Sequence, residues 1–261
     1  MKLPEENTLT TLTSFSQQWP LPFNRLAASK SSIPFYHHHP SGQQFSRPPF
    51  LTRVLHNSRY LHQHRFGTHF VEVPFEEDSS SANSQKTVSL IIALPDQNSS
   101  LTTLIEGLSQ YRALPREVLP YLQPTPVNLT LPSFQLTSSN LDLMDSLLSS
   151  SLSLSSSSQS KENHLNLNRL FPSISTRLSS VQQLCSLSLT STGVYSSTAS
   201  EDDPLHLPPD VQHDVQPVYV RAEVSVFVNR PFLFLITETI TATGNGRNML
   251  EVLYAGVVLN P

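Results

Sequence analysis

Residues 227–236 read FVNRPFLFLI, and residues 253–261 read LYAGVVLNP. After Pro231 the run Phe232-Leu233-Phe234-Leu235-Ile236 contains no polar residue, the mark of a strand buried on both faces. Between the two runs Gly244-Asn245-Gly246 supplies residues that tolerate the positive φ of a tight turn, so a hairpin is expected there. Two such strands can be buried only inside a large body. The rest of the chain must supply it.

The 261 residues suit one large domain or two small ones. Only 38% are apolar and 14% charged, with serine and threonine filling the gap, so part of the chain is expected to be loop. A formal charge of -4 gives no basic footprint, which argues against nucleic acid as a partner. No apolar run approaches the roughly 20 residues of a membrane-spanning helix, so no membrane partner is expected. The first residues, MKLPEENTLTTLTSFSQQWPLPF, lack the positive start and apolar centre of a signal peptide. The lone cysteine, Cys185, excludes an internal disulfide and a cysteine-based zinc site, and it lies in an apolar strand where packing is the expected role.

Along the chain, residues 1 to about 50 read as irregular, with 1–18 as a tail, because six prolines from Pro20 to Pro49 forbid long helices. The stretch from 29 to 78 reads as short strands joined by turns. FVEVPFEED (70–78) and TVSLIIALPD (87–96) are strands ended by proline, and the polar EEDSSSANSQK between them is a hairpin loop. Leu101, Leu104, Ile105 and Leu108 have the spacing of an amphipathic helix capped by Ser99 or Ser100. VNLTLPSFQLTSS (127–139) alternates as a half-buried strand, and Asn140 is expected to cap a short helix through Leu148. Residues 149–163 are a serine-rich insert, 181–190 a strand, and 191–222 an exposed, proline-broken loop.

The closing pair of strands resembles the C-terminal signature of the serpin family, and the likeness runs back in the right order. FVEVPFEED with VSLIIALPD resembles the family's V-x-x-P-[FY] strand pair, and SQQWPLPF (16–23) resembles the segment where a tryptophan and Pro-Phe end the third strand of its large sheet. VQQLCSLSL (181–189) resembles the strand that feeds the reactive-centre loop, with Gly193, Val194 and Tyr195 as the loop hinge. The resemblance covers Trp19 to Pro261 and lacks the family's front portion. It therefore implies an α+β fold of serpin type, incomplete, with N-terminal helices and part of the central sheet missing. It also implies an extracellular protein that is not an enzyme, needs no cofactor and has a protease as its partner.

An inhibitory serpin inserts its cleaved loop as a new central strand, which demands small inward residues and no proline. Counting from Gly193, the inward positions are Val194, Ser196, Thr198, Ser200 and Asp202. Asp202 buried without a partner costs several kcal/mol, and Pro204, Pro208 and Pro209 each lack the amide a central strand must donate. These features resemble the non-inhibitory, angiotensinogen-like branch, as do VNLTLPSFQLTSSNLDLMDSLL (127–148) and HLNLNRL (164–170). On that reading the partner is a renin-like protease that takes the protein as its substrate. The alternative is inhibition of a serine protease by loop insertion, favoured by a hinge that also resembles the antiplasmin group.

Other chemistry is weak. Seven of the ten histidines fall between His37 and His69, and they are read as solvated loop residues with no metal site. No Gly-x-Ser-x-Gly elbow or phosphate-cradling glycine loop is present. Secretion, implied by the resemblance, makes Asn98 and Asn128 candidates for N-glycosylation, Asn128 being the less accessible within its strand.

Overall fold

The computed structural model describes residues 6–12, 14–26, 33–37, 44–76, 85–111, 114–142, 165–166, 177–197, 222–241 and 248–261. The elements in chain order are β1 (Glu6–Leu12), β2 (Phe15–Gln18), β3 (Asn24–Arg25), β4 (Phe35–His37), β5 (Gln44–Ser46), β6 (Phe50–Leu55), β7 (Arg59–Gln63), β8 (Thr68–Pro74) and β9 (Gln85–Pro95). Helix α1 (Leu101–Tyr111) follows, then helical turns at Leu114–Val118 and Leu119–Tyr121. The remainder is β10 (Gln123–Pro124), β11 (Val127–Pro132), β12 (Phe134–Asp142), β13 (Leu165–Asn166), β14 (Arg177–Leu189), β15 (Gly193–Ser197), β16 (Val224–Phe227), β17 (Phe232–Thr241) and β18 (Asn248–Val258). Two compact units comprise 1–15, 136–187 and 195–206, and 16–135, 188–194 and 207–261.

The second unit is built on a sheet of order β10-β7-β8-β9-β17-β18, in which every neighbouring pair is antiparallel. Strand β17 runs between β9 and β18, with Leu235 opposite Ile91 on one side and Ala255 on the other. Its apolar run buries both faces, as its sequence requires. Leu235 faces a cluster of Phe66, Phe70, Ile91, Ala93, Leu104, Val118 and Leu122, which α1 and the helical turns help to close. Phe232, Phe234 and Ile236 are also buried, and Phe134 tilts against the first two with ring centroids 6.0 and 5.7 Å away. Each such side chain contributes about 1.5–3 kcal/mol through burial.

Strand β18 differs from the expectation. Of its described residues Val258 alone is fully buried, while Val252 and Leu253 are exposed. It stands at the end of the sheet order, so its apolar content does not place it in the interior. The pair Thr241 and Asn248 brackets the expected turn, whose glycines lie outside the described residues.

The helix expected from the spacing of Leu101 to Leu108 forms. Ser100 is its cap, the Oγ accepting from the Thr103 amide at 3.1 Å and pairing with the Thr103 hydroxyl at 2.7 Å. A smaller sheet of order β16-β11-β6-β3 completes this unit, with β11 parallel to β16 and antiparallel to β6.

In the first unit, β14 pairs with β1 in parallel and β13 antiparallel, and also with β12. Two expectations fail here. Residues 1–18 are not an irregular tail, since 6–12 and 15–18 form strands. Prolines exclude helix but not short extended segments between them, and β1 takes its partner from β14, far along the chain. The helix expected from Asn140 is also displaced at its start, because β12 runs on through Asp142. Pairing with β14 outweighs a local helix signal. Residues 143–164, which hold the serine-rich insert, lie outside the described residues.

Candidate functional site

Gly193, Val194 and Tyr195, which the resemblance assigns to the loop hinge, lie among the described residues at the start of β15. Strand β14 ends at Leu189, residues 190–192 turn, and β15 begins at Gly193 with β14 and β2 as its neighbours in the strand order. The turn is closed by Thr190. Its amide donates to the Gly193 carbonyl at 2.9 Å, its hydroxyl donates to the same oxygen at 3.1 Å, and its Oγ1 accepts from the amides of Thr192 and Gly193 at 3.3 Å each. A threonine hydroxyl competing for local backbone groups in this way stabilises a turn over a continuing strand.

Trp19 holds the turn from the side. Its indole Nε1–H donates to the Thr190 carbonyl at 3.1 Å, and its amide donates to Thr192 O at 3.0 Å. The ring stacks on Phe75 at 4.6 Å and meets Phe23 edge-on at 5.4 Å, and the Phe23 amide donates to Ser191 O at 2.8 Å. The Glu76 amide, donating to Gln18 O at 2.9 Å, fixes the chain beside it. A buried indole with both an apolar bed and a hydrogen-bond acceptor is well suited to pin a backbone turn.

Gly193 is required by proximity. A Cβ on it would lie 2.2 Å from the Gln17 carbonyl oxygen and 3.0 Å from Gln18 Cα, both backbone atoms that cannot step aside. Val194 is 1% exposed and Ser196 6%, while Tyr195 between them is half-buried. The start of the 191–222 stretch is not exposed as expected. Ser191, Gly193, Val194 and Ser196 are all buried, because the neighbours β14 and β2 enclose the first turn of the loop. Residues 198–221, including Asp202, Pro204, Pro208 and Pro209, lie outside the described residues.

Behind the hinge, Ser188 Oγ is buried with no hydrogen-bond partner. Removing an unsatisfied buried hydroxyl relieves its desolvation cost. Ser188→Ala is therefore expected to raise stability by about 1 kcal/mol, read as a higher urea midpoint at unchanged slope.

Asn98 is exposed in the turn between β9 and α1, and Asn128 is half-buried on β11, between β6 and β16. His37 Nδ1 lies 3.0 Å from the Leu259 carbonyl, and His38 and His39 are outside the described residues. The reading of the histidines as solvated loop residues fails for His62 and His69. They face each other across β7 and β8, and both reach Asp96. The signal available in sequence was the strand assignment of 59–74, which gives the pairing only once the register is known. Thr190 was also missed, and its mark was its position between an apolar strand and a glycine three residues on. Among the described residues, no helix is long and apolar enough to cross a membrane.

The antiparallel sheet with β17 between β9 and β18, and the tryptophan-pinned turn between β14 and β15, belong to a serpin-type body. The chain belongs to the serpin family: the family model described as Serpin (serine protease inhibitor) matches residues 4–261. Similar solved structures include a serpin from the trematode Schistosoma haematobium (19% identity, TM-score 0.57), covering 95% of this chain and 55% of that one. A thyroxine-binding globulin in complex with thyroxine matches at 17% identity and TM-score 0.54, over 94% of this chain and 54% of that one. Serpin48, a highly specific serpin of the insect Tenebrio molitor, matches at 17% identity and TM-score 0.52, over 94% and 53%. The chain thus spans about half the length of these serpins and is a partial serpin body. No curated protein sequence matches it significantly.

Proposed function

We propose that this chain is the body of a secreted, non-inhibitory serpin of angiotensinogen type, a hormone-precursor carrier that a renin-like protease uses as a substrate. The observation that carries the reading is the parity of the hinge. With Val194 and Ser196 buried, the inward positions are the even ones, so Thr198, Ser200 and Asp202 come next in register. An insertion that continues past Ser200 must bury the Asp202 carboxylate between Glu201 and Asp203, and then Pro204. A central strand has no amide partner for that proline and no counter-charge for the aspartate. Insertion therefore stalls after about four inward residues, too few to trap a protease. The likeness of residues 127–148 and 164–170 to the angiotensinogen branch supports the carrier role, and the exposed Asn98 suits a glycosylated extracellular protein.

The seated hinge itself favours a second reading, inhibition of an extracellular serine-type endopeptidase by loop insertion, since Val194 and Ser196 are small enough for the interior they occupy. Incubation with trypsin-, chymotrypsin- and elastase-like proteases separates the two. Cleavage within 198–221, with no covalent adduct surviving SDS and no rise in the melting temperature of the cleaved chain, is the expected outcome. An SDS-stable complex would replace the first reading with the second.

A further inference from the structure

We propose that His62, His69 and Asp96 form a binding site for a divalent transition metal of the zinc class. His62 on β7 and His69 on β8 are directly opposite partners, and their rings lie parallel with centroids 4.3 Å apart. Asp96 follows the end of β9. Its amide donates to the Gly67 carbonyl at 2.7 Å, and its carboxylate meets the Nε2 edges of both rings. Gly67 holds a positive φ of 49°, and a Cβ there would lie 2.2 Å from Ser99 Oγ, so the turn that makes this approach depends on glycine.

The Nε2 atoms both point at the carboxylate, His62 Nε2 lying 3.1 Å from Oδ2 and His69 Nε2 3.0 Å from Oδ1. One ligand atom from each residue falls within 4.8 Å of the other two. Tetrahedral zinc with bonds of about 2.0–2.1 Å places its ligand atoms roughly 3.3 Å apart. Each nitrogen-to-carboxylate separation is therefore within a few tenths of an ångström of that value, and small rotations of the side chains bring the three ligand atoms around one ion. Two imidazoles and one carboxylate suit zinc, nickel or copper, and not calcium or magnesium, which prefer oxygen. All three side chains are about 30% exposed, so a solvent molecule can fill the fourth position.

The surroundings fit this use. Tyr60 Oη lies 2.7 Å from His69 Nδ1. With Nδ1–H donating to that oxygen, Nε2 keeps its lone pair for the metal, the outer contact that metal-bound histidines ordinarily make. Burial, and then the Asp96 charge, hold the Tyr60 phenol in its neutral form to higher pH. Burial first, with His62 and Arg230 adding to it against the pull of Asp96, keeps the His69 imidazole neutral to lower pH than usual. Among the described residues, Arg230 is a nearby cation that opposes an ion. Its Nε–H is committed to the Pro95 carbonyl at 2.7 Å, and Asp96 offsets its charge. His64, exposed beside His62 at 4.4 Å between ring centroids, completes the titratable groups of the cluster.

Zinc chloride titrated into the full chain, followed by calorimetry, is expected to give one saturable site. Cobalt in place of zinc should give the visible absorption of a low-symmetry nitrogen and oxygen site, and magnesium should give no response. The His62→Ala/His69→Ala variant is expected to lose that site, and Tyr60→Phe to weaken it about tenfold to a hundredfold, the usual cost of an outer contact. The His37→Ala/His38→Ala/His39→Ala variant should keep it. An unchanged zinc isotherm in the His62/His69 variant, or loss of binding in the 37–39 variant alone, overturns the assignment. Should the double variant fail to fold, histidine ring resonances of the unaltered chain decide. Zinc must shift those of His62 and His69 at one equivalent, and shifts confined to other histidines overturn the site.

Discussion

Phe234→Ala is expected to lower the unfolding free energy by about 3–5 kcal/mol, the cost of emptying a large aromatic from a closed core. Phe234 is 3% exposed near the start of β17, opposite Ile92 on one neighbour and Gly256 on the other. Its ring occupies the space that a side chain on Gly256 would take: a Cβ there would lie 2.6 Å from both Cε1 and Cζ. Gly256→Leu alone is accordingly expected to cost about 1–3 kcal/mol by overpacking. In the Phe234→Ala background the new leucine enters the vacated volume, so the double variant should be more stable than the two single losses predict. A coupling of about 0.5–3 kcal/mol is expected for residues in direct contact. Urea unfolding followed by circular dichroism measures all four corners of the cycle. Simple additivity would show that the ring and the glycine do not share one space.

Phe232 to Ile236 was legible because five consecutive apolar residues have no other stable home than a strand enclosed on both faces. The sequence could not say that β18, with a similar apolar share, stands at the end of its sheet. Edge and centre are decided by which strands are present, not by a strand's own residues. The hinge shows the same division. The inward parity of Val194 and Ser196 follows from the period of two, but the fixing of Thr190 and Gly193 depends on Gln17, Gln18 and Trp19, some 170 residues away along the chain. At Asn140 the local signal pointed to helix and a distant partner imposed strand. The short strands before residue 50 were hidden for a related reason, since proline spacing reports where helices stop and is silent on pairing. His62, His69 and Asp96 lie on three successive antiparallel segments, so their meeting is a matter of register that no spacing along the chain displays.

The family assignment and the hinge also bear on each other. Strand β14 ends at Leu189 and β15 begins at Gly193, so whatever fixes residues 190–193 sets the boundary between the two strands. Here the boundary is set by hydrogen bonds to backbone, from Thr190 within the turn and from Trp19 beside it. Backbone contacts of this kind are indifferent to the loop's own side chains. The turn is therefore held without reliance on the side chains of the residues that follow it.

Trp19 is therefore the residue whose loss should be felt most widely. Trp19→Ala is expected to cost about 3–5 kcal/mol, since the indole is 4% exposed and packs on both Phe75 and Phe23. Trp19→Phe keeps an aromatic ring on that bed and removes only the donor to Thr190 O, so its cost should be about 0.5–1.5 kcal/mol. The two differ more sharply in the hinge than in global stability. Hydrogen exchange at the Phe23 and Thr190 amides reports the turn directly, because these donate to Ser191 O and Gly193 O. Both amides should lose protection in the alanine variant well before global unfolding and retain most of it in the phenylalanine variant. If they stay protected in Trp19→Ala, then Thr190 and the neighbouring strands hold the hinge without the tryptophan, and the indole's part is confined to the core.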